Sequence, residues 1–205
     1  MTTAASIDAN RLARAALTRV AEPGRPDVLD RVRRHGAAEV WAALRQRSWP
    51  DGAPAPGDLL ARVQEAAPER DLALVEYHRG RFLCPEDTEW PVGLLDLDQT
   101  DLSPLGLWLR GEADLGVSTA RATAVVGSRA ATGYGAHVAG EIAAGLAERN
   151  WTVVSGGAYG IDARRTAGPL RWAVRRSSCS PAASTSRIRA ATEACSTEWP
   201  PRGCW

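Results

Sequence analysis

The chain has 205 residues, of which 44% are hydrophobic and 24% are charged, and its formal net charge is +1. This length accommodates one or two domains, and the apolar content is sufficient to fill a core. No apolar run approaches the roughly eighteen residues that a membrane span needs, and the first residues lack the basic-then-apolar order of a signal peptide. We therefore expect a cytoplasmic protein without a membrane partner.

The basic residues are all Arg, and the absence of Lys excludes a Walker-type phosphate loop. Residues 1–163 carry 17 Arg against 22 Asp and Glu, whereas residues 164–205 carry 8 Arg against 2 acids. The cysteines are Cys84, Cys179, Cys195 and Cys204. Their spacing matches no Cys-x-x-Cys pattern, so we expect unpaired thiols and no metal site.

Residues 1–70 are predicted to form a small helical N-terminal domain. Apolar side chains recur there at helical spacing in four groups, which Pro- and Gly-rich turns separate. The groups are Leu12, Ala16 and Val20; Val28, Leu29 and Val32; Val40, Trp41 and Leu44; and Leu59, Leu60 and Val63. A domain of this kind suits a contact with DNA backbone or with a protein, and equally a folding or docking role without a site of its own.

From Asp71 the pattern changes. Apolar runs at 72–77 and 81–84 are followed by a turn at 85–91 and by a strand expected at 105–109. We expect this strand to lie beside residues 123–126, in a sheet that begins near residue 80.

Two short β-branched runs, residues 123–126 and 151–154, each end in glycine. Between them, Val138, Ile142 and Leu146 recur every four residues, as on one face of a helix. This β-α-β pattern predicts an α/β fold with a parallel sheet, which binds ligands at the carboxyl ends of its strands. We place the first half of a Rossmann-like domain at residues 78–163.

The loop after the first of these strands is a candidate anion site. Gly127 allows close approach of the backbone, Ser128 offers a hydroxyl, and Arg129 carries a permanent charge in a fork that fits a phosphate. The loop opens a helix, whose N-terminal N–H groups and dipole also favour anions. Tyr134, at the start of that helix, offers an aromatic face for stacking on a base.

The second loop supplies further N–H groups at the same sheet edge. Its candidate residues are Ser155, Gly156, Gly157 and Gly160, and Asp162 can cap the next helix or hold a hydroxyl. The G-x-G-x-x-G spacing of dinucleotide-binding loops is not met. The alternative is that the glycines only form tight turns and that Arg129 pairs with a surface acid. Two loops in register favour binding of a nucleotide or nucleic-acid backbone.

The runs VVGSRAATGYG and TVVSGGAYGIDA closely resemble the DNA-processing protein A family, also called DprA or Smf. The segment RFLCPEDTEWPVGLLDLDQTDLSPLGLWLRG resembles that family's entry into its Rossmann-like domain. The Arg-rich helical stretch resembles its N-terminal sterile-alpha-motif-like domain. The resemblance covers roughly residues 10–163.

The resemblance implies a non-enzymatic protein that binds single-stranded DNA in natural transformation, protects it, and helps to load a RecA-type recombinase. It implies a homodimer in the intact family and no cofactor. It assigns the DNA-phosphate contacts to the two loops: Gly127, Ser128, Arg129, Ser155, Gly156, Gly157, Gly160 and Asp162. The net charge of −5 over residues 1–163 disfavours DNA, so we expect a local Arg patch or dependence on further chain.

Two other interpretations remain open. One is a nucleotide-binding or nucleotide-hydrolysing Rossmann-like enzyme related to phosphoribohydrolases, against which no pair of carboxylates is placed near the loops. The other is an inert remnant in which the helical domain folds and the half-sheet does not.

After residue 163 the family pattern ends. The tail holds only Leu170, Val174 and Ile188 as Leu, Val or Ile, so no strand of any length is expected and we expect disorder. Reading GC-rich codons for residues 163–191 from the third codon position permits A-H-R-G-A-L and G-V-D-x-x-Y-P, which resemble the family's continuation. We therefore interpret residues 164–205 as a frameshifted tail on a C-terminally truncated domain with impaired activity.

Overall fold

The structure is a computed structural model that describes residues 4–100, 102–156, 160–161 and 176–178. Side chains are described for residues 9–100, 102–156 and 160–161. The chain divides into two compact units, Met1–Val117 and Ser118–Trp205. Apart from residues 176–178, the predicted tail at 164–205 lies outside the described residues.

The first unit is mainly helical. Its described elements are α1 (Ala4–Val20), α2 (Pro26–His35), α3 (Ala37–Arg45), α4 (Gly57–Glu65), α5 (Pro68–Tyr77), β1 (Gly80–Leu83), a 3-10 helix (Val92–Thr100) and β2 (Leu107–Arg110). A short helix, α6 (Leu115–Thr119), spans the division between the units. None of the described helices is both long enough and apolar enough to cross a membrane.

The helical core confirms the four predicted stripes. Its fully buried side chains include Val20, Val28, Val40, Leu44 and Leu59. Within α1 the buried face differs from the prediction at one position. Leu17, which was not predicted, is fully buried, whereas the predicted Leu12 is only half-buried. Burial of each such side chain contributes about 1.5–3 kcal/mol to folding.

The predicted strand near 105–109 exists as β2, but the partner expected for it is wrong. β2 pairs antiparallel with β1, with Phe82 opposite Trp108, and not with residues 123–126. The Phe82 and Trp108 rings pack with centroids 4.6 Å apart. Gly106 makes room for the Phe82 ring, because a Cβ there would lie 2.1 Å from Phe82 Cζ. Residues 80–117 therefore share a compact unit with the helices, although their sequence had suggested a place in the Rossmann-like sheet.

The second unit contains a parallel sheet. Its described elements are β3 (Ala122–Ala124), α7 (Gly133–Glu148), β4 (Thr152–Ser155) and β5 (Arg176–Ser178). The strand order is β3-β4-β5, and both pairings are parallel. The predicted β-α-β unit and the mixed α/β class are thus confirmed. β3 starts one residue earlier than expected, and the N–H of Val125 extends its ladder by donating to the carbonyl of Val154 over 2.9 Å.

The tail contributes one strand that the sequence did not predict. β5 pairs with β4 so that Val154 lies opposite Ser177 and Ser155 opposite Ser178. The expectation of no strand in this segment rested on its few β-branched residues. Pairing with an existing strand edge overrides that weak local propensity, because the ladder supplies the hydrogen bonds.

The expectation of unpaired cysteines is met at Cys84, which is free and buried. Burial raises the pKa of its thiol to about 11, so it stays protonated and unreactive near neutral pH. Cys179, Cys195 and Cys204 lie outside the described residues.

Candidate nucleic-acid interface

The first glycine loop runs from the end of β3 to the start of α7. Ser128 shapes it, because its Oγ accepts a hydrogen bond from the N–H of Ala130 over 3.1 Å. Thr132 is the N-cap of α7, and its Oγ1 accepts from the N–H of Gly135 over 3.1 Å. Gly127, Ser128 and Arg129 are all exposed. The loop therefore presents its backbone and the Arg side chain to solvent beside a helix N-terminus, where anions are favoured.

The end of the second loop lies directly against the first. Gly160 has a φ of +90°, and a Cβ there would lie 2.1 Å from the carbonyl oxygen of Ser128 and 2.6 Å from that of Arg129. The N–H of Ile161 donates to the carbonyl of Ser128 over 3.2 Å. Only glycine fits at residue 160, on grounds of both space and backbone conformation. The structure thus brings Gly160 together with two of the predicted phosphate contacts.

Ile161 supports the same junction from the other side. A Cβ added to Gly127 would lie 2.7 Å from Ile161 Cγ1, and one added to Gly135 would lie 3.5 Å from Ile161 Cδ1. The Ile161 side chain therefore fills the space that Gly127 leaves empty. Because both loops depend on this contact, their relative position is set by packing and by backbone hydrogen bonding.

Arg129 makes no ion pair within the described part of the chain. This differs from the first unit, where Arg side chains commonly pair with acids: Arg11 with Asp87 at 2.7 Å and Arg62 with Glu22 at 2.9 Å. The alternative that Arg129 pairs with a surface acid therefore gains no support from the described residues. Among the described residues, no acid competes with a phosphate for its guanidinium.

Ser155, the last residue of β4, is 3% exposed, and its Oγ has no hydrogen-bond partner among the described residues. An unsatisfied buried hydroxyl costs about 1–3 kcal/mol. Its place at the carboxyl end of a parallel strand is where ligands of such sheets bind. Gly156 follows it and is exposed.

Tyr134 is 79% exposed as the second residue of α7. Its ring is therefore open to solvent, and its predicted stacking on a base stays a prediction. Gly157 and Asp162 lie outside the described residues, so their predicted roles stay predictions.

Comparison with known proteins identifies a matching family and two similar proteins. A family model described as DNA recombination-mediator protein A matches residues 81–177. Relatives in two strains of Mycobacterium tuberculosis, CDC 1551 / Oshkosh and ATCC 25618 / H37Rv, carry the description DNA processing protein DprA. Each is 44% identical over 164 residues, which cover 76% of this chain and 42% of the relative.

Residues 81–177 of the chain match the DNA recombination-mediator protein A family. The chain spans about 42% of the length of these curated relatives. The matched range includes both glycine loops and continues to residue 177, beyond residue 163 where the recognised motifs end. Arg176 and Ser177, the first two residues of β5, are therefore the last two residues of the matched range.

Two residues that shape the site were not singled out from the sequence. Thr132 could have been found as an N-cap, since Ser, Thr, Asp or Asn directly before a helical pattern is the usual signal. Ile161 had no comparable signal, because an apolar residue after a glycine loop has many possible packing partners. Its contact with Gly127 depends on the fold bringing two distant loops together.

Proposed function

We propose that this protein binds single-stranded DNA, without catalysis, at the edge formed by residues 127–129, 155–156 and 160–161. The observation that carries the proposal is the contact of Gly160 and Ile161 with the backbone of Ser128, beside an Arg129 that forms no ion pair in the described part of the chain. Two loops held together in this way offer a compact set of anion-binding groups.

The chemistry suits a strand bound without regard to sequence. Backbone N–H groups, the N-terminus of α7 and the Arg129 guanidinium are suited to phosphate oxygens. Tyr134 is suited to stacking on a base, which every base permits. Buried Ser155 Oγ supplies one further hydrogen-bonding group at the same end of the sheet. We propose that Gly157 and Asp162 complete the second loop.

The similarity to this family supports a wider role. We propose that the protein acts in DNA processing during natural transformation, in the cytoplasm, where it protects incoming strands and helps to load a RecA-type recombinase. We propose a homodimer for the intact family protein. Because the recognised family motifs end at residue 163, we propose that the activity of this chain is impaired.

The test is a salt titration of strand binding. Arg129→Gln and the control Arg149→Gln each remove one Arg from the second unit, and the Arg149 side chain donates to the carbonyl of Gly145 at the other end of α7. Fluorescence anisotropy with a labelled oligothymidylate measures both affinity and its salt dependence. We expect Arg129→Gln to weaken binding and to reduce the slope of log K against log salt by about 0.7, the effect of one phosphate contact. Equal slopes in the two variants would remove Arg129 from the site.

The same samples address the enzymatic alternative. Incubation with nucleoside phosphates, followed by assay of released phosphate and free base, should show no turnover above buffer. Turnover that requires Arg129, in a protein that does not bind the oligonucleotide, would replace the strand-binding proposal with a nucleotide-hydrolysing one.

The proposed frameshift has a direct test. Resequencing the gene from the codons for residues 156–170 to beyond the codon for residue 205 should give bases that encode A-H-R-G-A-L and G-V-D-x-x-Y-P in the alternative frame. Bases that do not permit these strings would end this interpretation.

A further inference from the structure

A second cationic site lies on the first unit, far along the chain from the glycine loops. An open cleft of about 350 Å³ is found where α5 ends and where β1 pairs with the end of β2. It is lined by His78, Arg79, Arg110, Gly111 and Glu112. The lining thus includes two Arg side chains, one His and one acid. One cation at the end of a helix would be explained by the helix dipole, but the cleft collects more than one.

Arg79 adds a second observation. It follows the C-cap of α5 in a left-handed conformation, with φ of 55°, and its N–H donates to the carbonyl of Glu76 over 2.8 Å. Glycine is the residue that usually closes a helix in this way, so Arg has a conformational cost at this position. The Arg79 side chain is exposed and makes no ion pair among the residues described. Its charge is therefore not neutralised by an acid among the described residues.

An aromatic ring adjoins the cleft. Tyr77 is 82% exposed, the largest exposure among the large hydrophobic side chains described. Its ring meets the His78 ring edge to face, with centroids 5.2 Å apart and planes at 80°. This contact leaves the Tyr77 ring open to solvent. A planar ligand can therefore stack on it.

We propose that this cleft is a second contact for single-stranded DNA, in which Arg79 and Arg110 hold a backbone phosphate and Tyr77 stacks on a neighbouring base. Arg forks and an exposed aromatic side chain are the pair of features that sequence-independent strand binding needs. The inference rests on the proposed function, since it assumes the same ligand. The cleft would also be the local Arg patch that we expect because residues 1–163 carry a net negative charge.

The chain offers a closely matched control. Arg47 is also exposed, also follows the C-cap of a helix, and also has a left-handed backbone, with φ of 64°. It does not line the cleft. Arg79→Gln and Arg47→Gln therefore remove the same charge from the same backbone conformation. With the full chain and labelled oligothymidylate, we expect only Arg79→Gln to reduce the salt slope of binding, by about 0.7. Equal salt slopes for Arg79→Gln and Arg47→Gln would overturn the proposed DNA contact at the cleft.

Stacking is tested with Tyr77→Leu. We expect at least about fivefold weaker binding of oligothymidylate, and no change in the binding of an abasic oligomer of the same length, which has phosphates but no bases. Equal losses for both ligands would overturn the stacking role, because they would indicate a change in the protein alone.

Comparison with Arg129→Gln separates the two sites. If Arg129→Gln lowers the salt slope and Arg79→Gln behaves like Arg47→Gln, the cleft proposal fails and the proposed function stands. If only Arg79→Gln lowers the slope, the strand binds at the cleft and the glycine-loop assignment fails. Failure of the unsubstituted chain to bind any oligonucleotide would overturn both.

Discussion

The N–H of Ile161 donates a hydrogen bond to the carbonyl of Ser128 over 3.2 Å. This bond joins the end of the second glycine loop to the centre of the first. Gly160, the residue before it, has its Cα so near the Ser128 carbonyl that a Cβ would lie 2.1 Å from the oxygen. The two loops therefore form one surface, and the proposed phosphate site depends on their contact.

Gly160→Ala should separate the loops. The added methyl group meets backbone atoms, which cannot move as a flexible side chain can, and the φ of +90° is strained for Ala. We expect oligothymidylate binding to weaken at least about tenfold, equivalent to about 1.4 kcal/mol, as measured by fluorescence anisotropy.

The control for this change is Gly140→Ala, inside α7, where a Cβ has nothing within 4 Å. We expect it to leave binding unchanged and to stabilise the helix by up to about 1 kcal/mol. Unchanged binding in Gly160→Ala would show that the loops can separate without loss of the site.

Asp87→Asn should destabilise the first unit. Arg11 of α1 binds both carboxylate oxygens of Asp87, at 2.7 and 3.0 Å, and also donates to the carbonyl of Phe82 at 2.7 Å. Asp87 Oδ2 in turn accepts from the N–H of Cys84 over 2.7 Å. Both side chains are less than one third exposed, so we expect a loss of about 1–3 kcal/mol in the free energy of unfolding.

Asp30→Asn is the matched control in urea titrations followed by Trp fluorescence. It breaks the Arg34–Asp30 pair, whose side chains are 52% and 56% exposed, and surface pairs of this kind contribute about 0.5 kcal/mol or less. Equal losses in the two variants would mean that the Arg11–Asp87 contact adds nothing beyond a surface pair.

The lowered pKa of Asp87 predicts that the stability of the protein depends on pH. Burial alone would raise the pKa of Asp87, but the hydrogen bonds from Arg11 and from the N–H of Cys84 outweigh it, and the pKa lies below its usual value. A lowered folded-state pKa gives stability that is present above the unfolded-state pKa of about 3.9 and is lost as the pH falls through the folded value. We expect the unsubstituted chain to lose more stability than Asp87→Asn between about pH 5 and 2. Parallel acid titration curves would contradict this.

Arg47→Gly should stabilise the protein. Arg47 closes α3 with a φ of 64°, and its N–H donates to the carbonyl of Leu44 over 3.0 Å while that of Ser48 donates to Ala43 over 3.1 Å. This is the hydrogen-bond pattern that glycine usually completes. We expect a gain of about 0.5–1 kcal/mol in urea titrations, because glycine carries no Cβ penalty.

The neighbouring substitution Arg45→Gly should have the opposite effect and lower the free energy of unfolding. Arg45 is the last residue of α3, where glycine disfavours the helical conformation, and we expect a loss of up to about 1 kcal/mol. Stabilisation by both substitutions would indicate an effect unrelated to the left-handed backbone.

The local patterns of the sequence were enough to predict several elements. Apolar residues at helical spacing identified the core of the first unit, since that spacing places side chains on one helix face whatever the partner. Two β-branched runs around a helical stripe identified the parallel β3–β4 pair. Glycines after both runs identified the loops, and therefore Gly127, Ser128, Arg129 and Gly160 as neighbours.

Other features depended on which distant segments meet. β2 pairs with β1 because contacts across the chain hold its approach in place, including the bond from Arg14 to the carbonyl of Leu105, 91 residues away. β5 forms because the edge of β4 offers hydrogen bonds to a segment with little strand propensity of its own.

The sequence by itself determined the periodic elements and the positions of the two loops, because these follow from local geometry. The tertiary structure decided the partner of each strand, the distance from Gly160 to Ser128, and which Arg side chains keep their charge unpaired within the described residues. Each of these is a relation between groups far apart in the chain, and its outcome depends on competition among packing, hydrogen bonding and charge in the folded state.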